Sequence, residues 1–276
     1  MPAANAFMAD ITDTENRTRG MGAAGAANNL GSILGPAVAG LAVISLLTPL
    51  WIMAAVAFLN GLFVWRFLQE PPKHLDAPPP RQRMKYSDPR ILPFIIVGVA
   101  MFTGMGLVQQ TMGFRFQDAL GLSAADTAKS VGIAMMLSGA ASLFSQAVIV
   151  QRLRIPPFNL LRLALPLLIV AFTIMATLES QLWLTVAMMI QGLGMGLAGP
   201  GFMAGASLAV APEEQGAVAG VAGSCGPLGF TIGPLVGGIM YSLAPTLPYA
   251  FAAVLFLVLL LSMGWLGRRV RTHEAD

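Results

Sequence analysis

The chain has 276 residues; 56% are apolar, 16 are Lys or Arg and 13 are Asp or Glu. A soluble globular domain carries about 25% charged residues, so 11% here, with a mean hydropathy of +0.72, excludes a water-solvated fold and a disordered chain alike. One cysteine, Cys225, and two histidines, His74 and His273, supply no internal disulfide, zinc spacing or Ser/His/Asp set, so no catalytic residue, metal ligand or cofactor is expected.

A bilayer crossing needs about 20 helical residues with few or no charges. Residues 20–65 hold none, and Pro49 divides them into two crossings. The next segment, 69–90, gathers Pro71, Pro72, Pro78, Pro79 and Pro80 with mixed charge and reads as an extended linker. Residues 91–114 and 130–151 supply one span each. The run 163–178 is short, and reaches spanning length if Arg162 snorkels and the helix starts near Phe158. Residues 180–212 supply another span, and 215–267, broken at Pro245 and Pro248, supply two. The expectation is an all-α polytopic membrane protein with eight complete transmembrane helices, two before the linker and six after it.

Numbering the loops alternately puts Arg17, Arg19, Arg66, Lys73, Arg81, Arg83, Lys85, Arg90, Arg152, Arg154, Arg162, Arg268, Arg269 and Arg271 on one side, and only Arg115 and Lys129 on the other. Basic residues accumulate on the cytoplasmic side of membrane proteins, which predicts that the linker and the C-terminus are cytoplasmic. The sequence pI of 9.4 then reports topology, and no nucleic-acid partner is expected. Arg115, Asp118, Asp126 and Lys129 form the charged loop of the outer face, solvated or a gate.

Sliding the chain on itself by 198 residues aligns Gly22 with Gly220, Gly31 with Gly229, Gly35 with Gly233, Pro36 with Pro234 and Gly40 with Gly238. Pro2 meets Pro200 and Glu15 meets Glu213 in the same register. Glycines three or four apart share a helix face and let two backbones approach, while proline bends the helix. These residues, with Gly237, are therefore expected to pack helices.

The doubled pattern resembles the antiporter signature of the fifth helix of the major facilitator superfamily and its eleventh-helix counterpart. Asp10, with Arg17 and Arg19, is similar to that family's link between helices 4 and 5. Ala39 departs from the pattern, whereas Gly237 and Gly238 keep both final glycines. The likeness is strongest to the drug:proton antiporter branch and covers essentially the whole chain. It implies three parts: 1–68, the end of helix 4 with helices 5 and 6 of an N-terminal bundle; 69–90, the central cytoplasmic linker; and 91–276, a six-helix C-terminal bundle and tail. The internal symmetry further suggests that about 110 residues, holding three helices and most of a fourth, would precede Met1 in a complete two-bundle carrier.

In the family, helices 1, 4, 7 and 10 line the cavity, which the resemblance carries onto 91–113 and 181–207. Gln109, Gln110 and Gln191 are the most polar side chains there, and an amide in hydrocarbon needs a cavity or a partner helix. Substrate contact and interhelical hydrogen bonding are both open to them. Met105 and Met195, with Met101, Met188 and Phe102, are either a soft surface for varied apolar ligands or ordinary filler. The run Gly192-Leu193-Gly194-Met195-Gly196 lies in a charge-free span without a following acidic residue and is no dinucleotide loop.

The resemblance implies a secondary transporter of the cell membrane, the bacterial inner membrane, moving a small organic molecule through the lipid bilayer by alternating access, with proton-coupled efflux as the mode. A non-transporting membrane protein, a decayed gene product or an accessory partner, is the rival. The charge-free runs contain no Asp, Glu or His, so protons are expected as a partner only with the preceding helices present.

Overall fold

The structure, a computed structural model, describes residues 47–67, 84–153, 155–211 and 214–272, with Ala27 and Gly31 as isolated positions. Every regular element among them is helical: α1 (Thr48–Phe67), α2 (Leu92–Leu120), α3 (Ala124–Phe144), α4 (Pro157–Thr177), α5 (Gln181–Leu208), α6 (Gln215–Leu243) and α7 (Leu247–Thr272). A π-helical turn, Ser145–Val150, continues α3. Six of these helices are long and apolar enough to cross a bilayer, and α7 adds a shorter apolar stretch, Leu247–Met263. The protein is thus a helical membrane protein. The first of the eight expected spans lies outside the described residues apart from Ala27, Gly31, Leu47 and Thr48, as do residues 69–83 and Asp10, Arg17, Arg19, Gly22, Gly35, Pro36 and Gly40.

Proline sets several helix boundaries. Helix α1 begins at Thr48 beside Pro49, and α6 gives way to α7 across Pro245. Helix α4 begins at Pro157, where the missing proline N–H costs nothing. Five residues on, the Arg162 guanidinium lies 4.9 Å over the Phe158 ring, turned back toward the helix start. The long stem covers apolar surface while the charge stays at the end of the helix.

Helix α2 runs past the charge-free segment. Its 29 residues span about 43 Å at 1.5 Å each, more than the ~30 Å of a hydrocarbon core, so Arg115 and Asp118 ride on the helix and not in a loop. Asp126 and Lys129 lie likewise in the first turns of α3. The four charged residues read as a loop thus lie on helix ends, beyond the charge-free runs. Gly121 closes α2 at φ 60, a left-handed conformation that favours glycine, and its N–H bonds Gln117 O. Ser123 then caps α3: its Oγ accepts from Asp126 N at 3.2 Å and its hydroxyl donates to Asp126 Oδ2 at 2.6 Å.

Helix α4 lies between α5 and α7, α5 touches α4, α3, α2 and α6, and α2, the most buried of the spans, is flanked by α6, α5, α3 and α7. Its core side carries Phe94, Met101, Leu107, Val108, Met112 and Phe116, all buried. At Gly104 the helix faces the Phe172 and Phe256 rings, which stack with centroids 5.4 Å apart.

Candidate functional site

The glycines singled out in the second repeat fall on two faces of α6. A Cβ on Gly229 would lie 2.5 Å from Phe102 Cβ, one on Gly233 would lie 2.5 Å from Thr103 O, and one on Gly237 would lie 3.1 Å from Leu107 Cγ. Spaced by four, these three bring the α6 backbone onto α2. Pro234 lies beside the seam, its Cδ 3.2 Å from where a Gly106 Cβ would stand. Gly220 and Gly238 face elsewhere, with nothing among the described residues within 4 Å of their would-be Cβ atoms, and the same holds at Gly31.

On α5 the glycines of 192–196 all pack. Gly192 presses on Ser138 O, Gly194 on Leu168, and Gly196 on Ser142 and Ser145. Ser145, first residue of the π turn, donates to Leu193 O at 3.0 Å.

Helices α2 and α5 meet differently. The Phe202 ring fills the space over Gly98, and the Phe94 ring fills that over Gly205. The helices are antiparallel, so their contact residues advance in opposite directions. Seven and eleven residues on from Gly98, on the same α2 face, stand Met105 and Gln109. Seven and eleven residues back from Phe202, on the same α5 face, stand Met195 and Gln191. The register thus sets Met105 level with Met195 and Gln109 level with Gln191.

Exposure differs among them. Gln109 and Gln110 are exposed, Met105 and Met195 are half-buried, and Gln191 is buried at 7%. The Gln191 Oε1 has no hydrogen-bond partner, an arrangement that costs free energy unless a ligand or water completes it. Phe102 shares the α2 face and ties the wall together: its ring centroid is 6.2 Å from Phe202, edge to face, and 6.1 Å from Phe230. Phe202 and Phe230 were not legible as candidates, because only the rotation of α5 and α6 shows that they converge on Phe102.

Polar ties hold α2 at both ends. Just before its first turn, Arg90 reaches Glu214 through Nη1 at 2.7 Å and Nη2 at 2.9 Å, and reaches Asp88 through Nη2 at 2.8 Å. Hydrogen bonds from Arg90 hold the Glu214 carboxyl below the usual glutamate range, and those to Asp88 and Glu214 hold the guanidinium charged. At the far end, buried Arg115 donates to Met175 O at 3.1 Å and pairs with Glu179 at 3.1 Å. It thereby caps the last turn of α4 with positive charge. Thr111 shares a 2.9 Å hydrogen bond with buried Tyr249, and Tyr241 donates to Asp118 at 2.6 Å. Such a site offers soft apolar contact and a few amides, suited to binding and passage. Among the described residues no group of His, Cys, Asp and Glu could hold a metal.

Comparison with known proteins gives the same picture. A family model described as Major Facilitator Superfamily matches residues 1–226 and again 154–276. Multidrug resistance protein 1 of Bacillus subtilis (strain 168) is 25% identical over 280 residues, covering 96% of this chain and 69% of that protein. Multidrug resistance protein 2 of the same organism is 26% identical over 281 residues, covering 96% and 68%. The human organic anion transporter MFSD10 (TETRAN) shares the fold, with a TM-score of 0.74 at 22% identity over 94% of this chain and 66% of that one. The chain spans about two thirds of the length of each. Matched by the family model along its whole length and alike in fold to a solved transporter, the chain belongs to the Major Facilitator Superfamily of membrane transporters and is not an enzyme.

Proposed function

We propose that the protein acts in the multi-pass export of small organic molecules, with the wall between α2 and α5 holding the substrate. The carrying observation is the matched register of Met105 with Met195 and Gln109 with Gln191, beside Phe102 and an amide oxygen without a partner. Thioethers and rings accept apolar bodies of varied shape, and amides orient whatever polar group they carry. The names of the two bacterial relatives support multidrug efflux. Proton coupling belongs to this reading for a carrier with both bundles present, as do the eight transmembrane helices, the 69–90 linker and the C-terminus in the cytoplasm, and a place in the bacterial inner membrane.

Binding tests the wall without requiring turnover. Ethidium, a planar organic cation, should bind the reconstituted chain, and Gln191→Ala should weaken it about tenfold, the value of one lost hydrogen bond in a dry site. Equal affinity in Gln191→Ala, Gln109→Ala and wild type would remove these residues from the site. Dye movement that follows an imposed pH gradient in vesicles is the measurement for proton coupling. Reporter fusions at Ala77 and Ala275 check orientation, since both should behave as cytoplasmic.

A further inference from the structure

Arg90 stands two residues before α2, yet its charge is spent partly on α6. On one side its Nε and Nη2 bind Asp88 at 3.1 and 2.8 Å; on the other, Nη1 and Nη2 form a fork to the two Glu214 oxygens. The backbone around it is wound into turns: Asp88 N bonds Lys85 O at 3.1 Å, and Leu92 N bonds Asp88 O at 2.9 Å. The last residues of the linker are therefore fixed to the start of α2, and through one guanidinium to the start of α6.

What this tie holds follows from the glycines. Gly229, Gly233 and Gly237 bring the two backbones together in the outer half of the seam, and Tyr241, bonded to Asp118 and in ring contact with Phe114 at 6.0 Å, closes its far end. Between Glu214 and Gly229 no glycine is pressed onto the α2 backbone: would-be Cβ atoms on Gly216, Gly220 and Gly223 meet nothing within 4 Å among the described residues, and one on Gly226 reaches only the tip of the Phe102 ring, at 4.0 Å. In that stretch the seam passes Cys225, buried at 1%, whose Sγ lies 4.0 Å from Ile95 O on α2. The first turns of α6 thus pack through side chains, Val218, Val221, Ala222 and Cys225 all being buried, and lack the backbone-on-backbone contact of the later ones, which leaves the terminal ion pair a larger share of the hold there.

We propose that the Arg90–Glu214 pair is a latch across the linker end of the α2–α6 seam, making the linker pull on both helices as one body. A bidentate, charge-assisted fork resists displacement in two directions, which a single backbone attachment does not. Since Phe102 and Phe230 sit on the two latched helices, load on the linker moves both rings of the wall together. Arg90 is in this sense a positioning residue, and the latch requires no knowledge of the substrate.

The only cysteine of the chain reads the latch directly. In the full chain reconstituted in lipid, alkylation of Cys225 by N-ethylmaleimide should be slow. Arg90→Gln and Glu214→Ala should each raise its rate about fivefold, the scale of one partly exposed ion pair. The double variant should rise no further than either single one, because both remove the same bond. Tyr241→Phe, at the distant end, should raise the rate less. Glu179→Gln, which removes the Arg115 partner between α2 and α4, should leave it unchanged. Should Arg90→Gln fail to insert, Glu214→Ala carries the test by itself. Unchanged alkylation in the single variants, an additive double variant, or an equal rise in Glu179→Gln would each overturn the latch.

Discussion

Helix α2 meets α6 and α5 through glycine in both cases, but glycine does opposite things at the two contacts. Toward α6 it removes side chains so that backbone lies on backbone, as at Gly233 against Thr103 O. Toward α5 it makes a hollow that a ring enters, as at Gly98 beneath Phe202. A backbone contact has no rotamer through which to relax, whereas a ring can tilt away. The first kind of seam is suited to staying shut, and the second to widening into a wall where Gln109 is exposed and Gln191 is not.

The sharpest way to break this contrast is Gly233→Leu. The added side chain would strike Thr103 O and Leu107 N, and overpacking of this kind costs about 3 kcal/mol or more. Loss of folded, monodisperse protein in thermal-stability assays is expected, whatever substrate is present. Next in size is Arg115→Met, which leaves Met175 O without its donor and the end of α4 without its charge, at about 2 kcal/mol. Glu179→Gln should cost well under half of that, since Glu179 is 63% exposed. A reversal of that order would show that the ion pair, and not the helix cap, is what Arg115 supplies.

At the ring-filled contact, Gly98→Ala should cost about 1 kcal/mol, and Phe202→Leu should recover most of it by vacating the hollow. No recovery would mean that the α2 backbone, not the ring, is what yields. Smaller again is a pH effect at the latch. The Glu214 carboxyl is depressed by Arg90, so its contribution is complete above the ordinary glutamate value of about 4.3 and is lost as pH falls through the lower, folded-state value. The thermal midpoint of the wild type should drop more steeply below about pH 4 than that of Glu214→Gln. Parallel curves would deny the pair any share in stability. Last, Gln191→Leu should leave stability unchanged or raise it by about 1 kcal/mol, because it removes a buried oxygen that has no partner. A clear destabilisation would mean that the amide is bonded and not waiting for a ligand.

Much of the helical layout was legible as charge-free runs punctuated by proline. Pro49 and the Pro245 region mark boundaries through a missing N–H and a fixed φ, although Pro166, Pro200, Pro227 and Pro234 are carried inside α4, α5 and α6. Helix length was not legible at the far ends. Hydropathy reports where hydrocarbon begins, while hydrogen bonding and the Gly121 cap decide where α2 stops, so Arg115 and Asp118 read as loop residues. Arg115 also shows that one sequence position can be both charged and buried when carbonyls of another helix wait for it. Rotation was the least accessible quantity. The repeat groups Gly220 and Gly238 with Gly229 and Gly233, but only tertiary packing divides them between an occupied and an open face. The same limit hid Phe230, and kept exposed Gln109 and buried Gln191 in one class.

The π turn at the end of α3 has a bearing on how this chain is read against its relatives. A π turn winds more residues into each revolution than the 3.6 of an α-helix, so side chains beyond it fall progressively out of the phase set before it. Ser138, Ser142 and Ser145 keep one phase against α5; Val150, which a constant α period would carry about 140° away from Ser145, is buried all the same. A pattern search that assumes a constant period along α3 will therefore mislabel its inward face after Phe144. When α3 is aligned to other chains, a gap of one residue belongs within 145–150, where the helix can absorb it without moving either end.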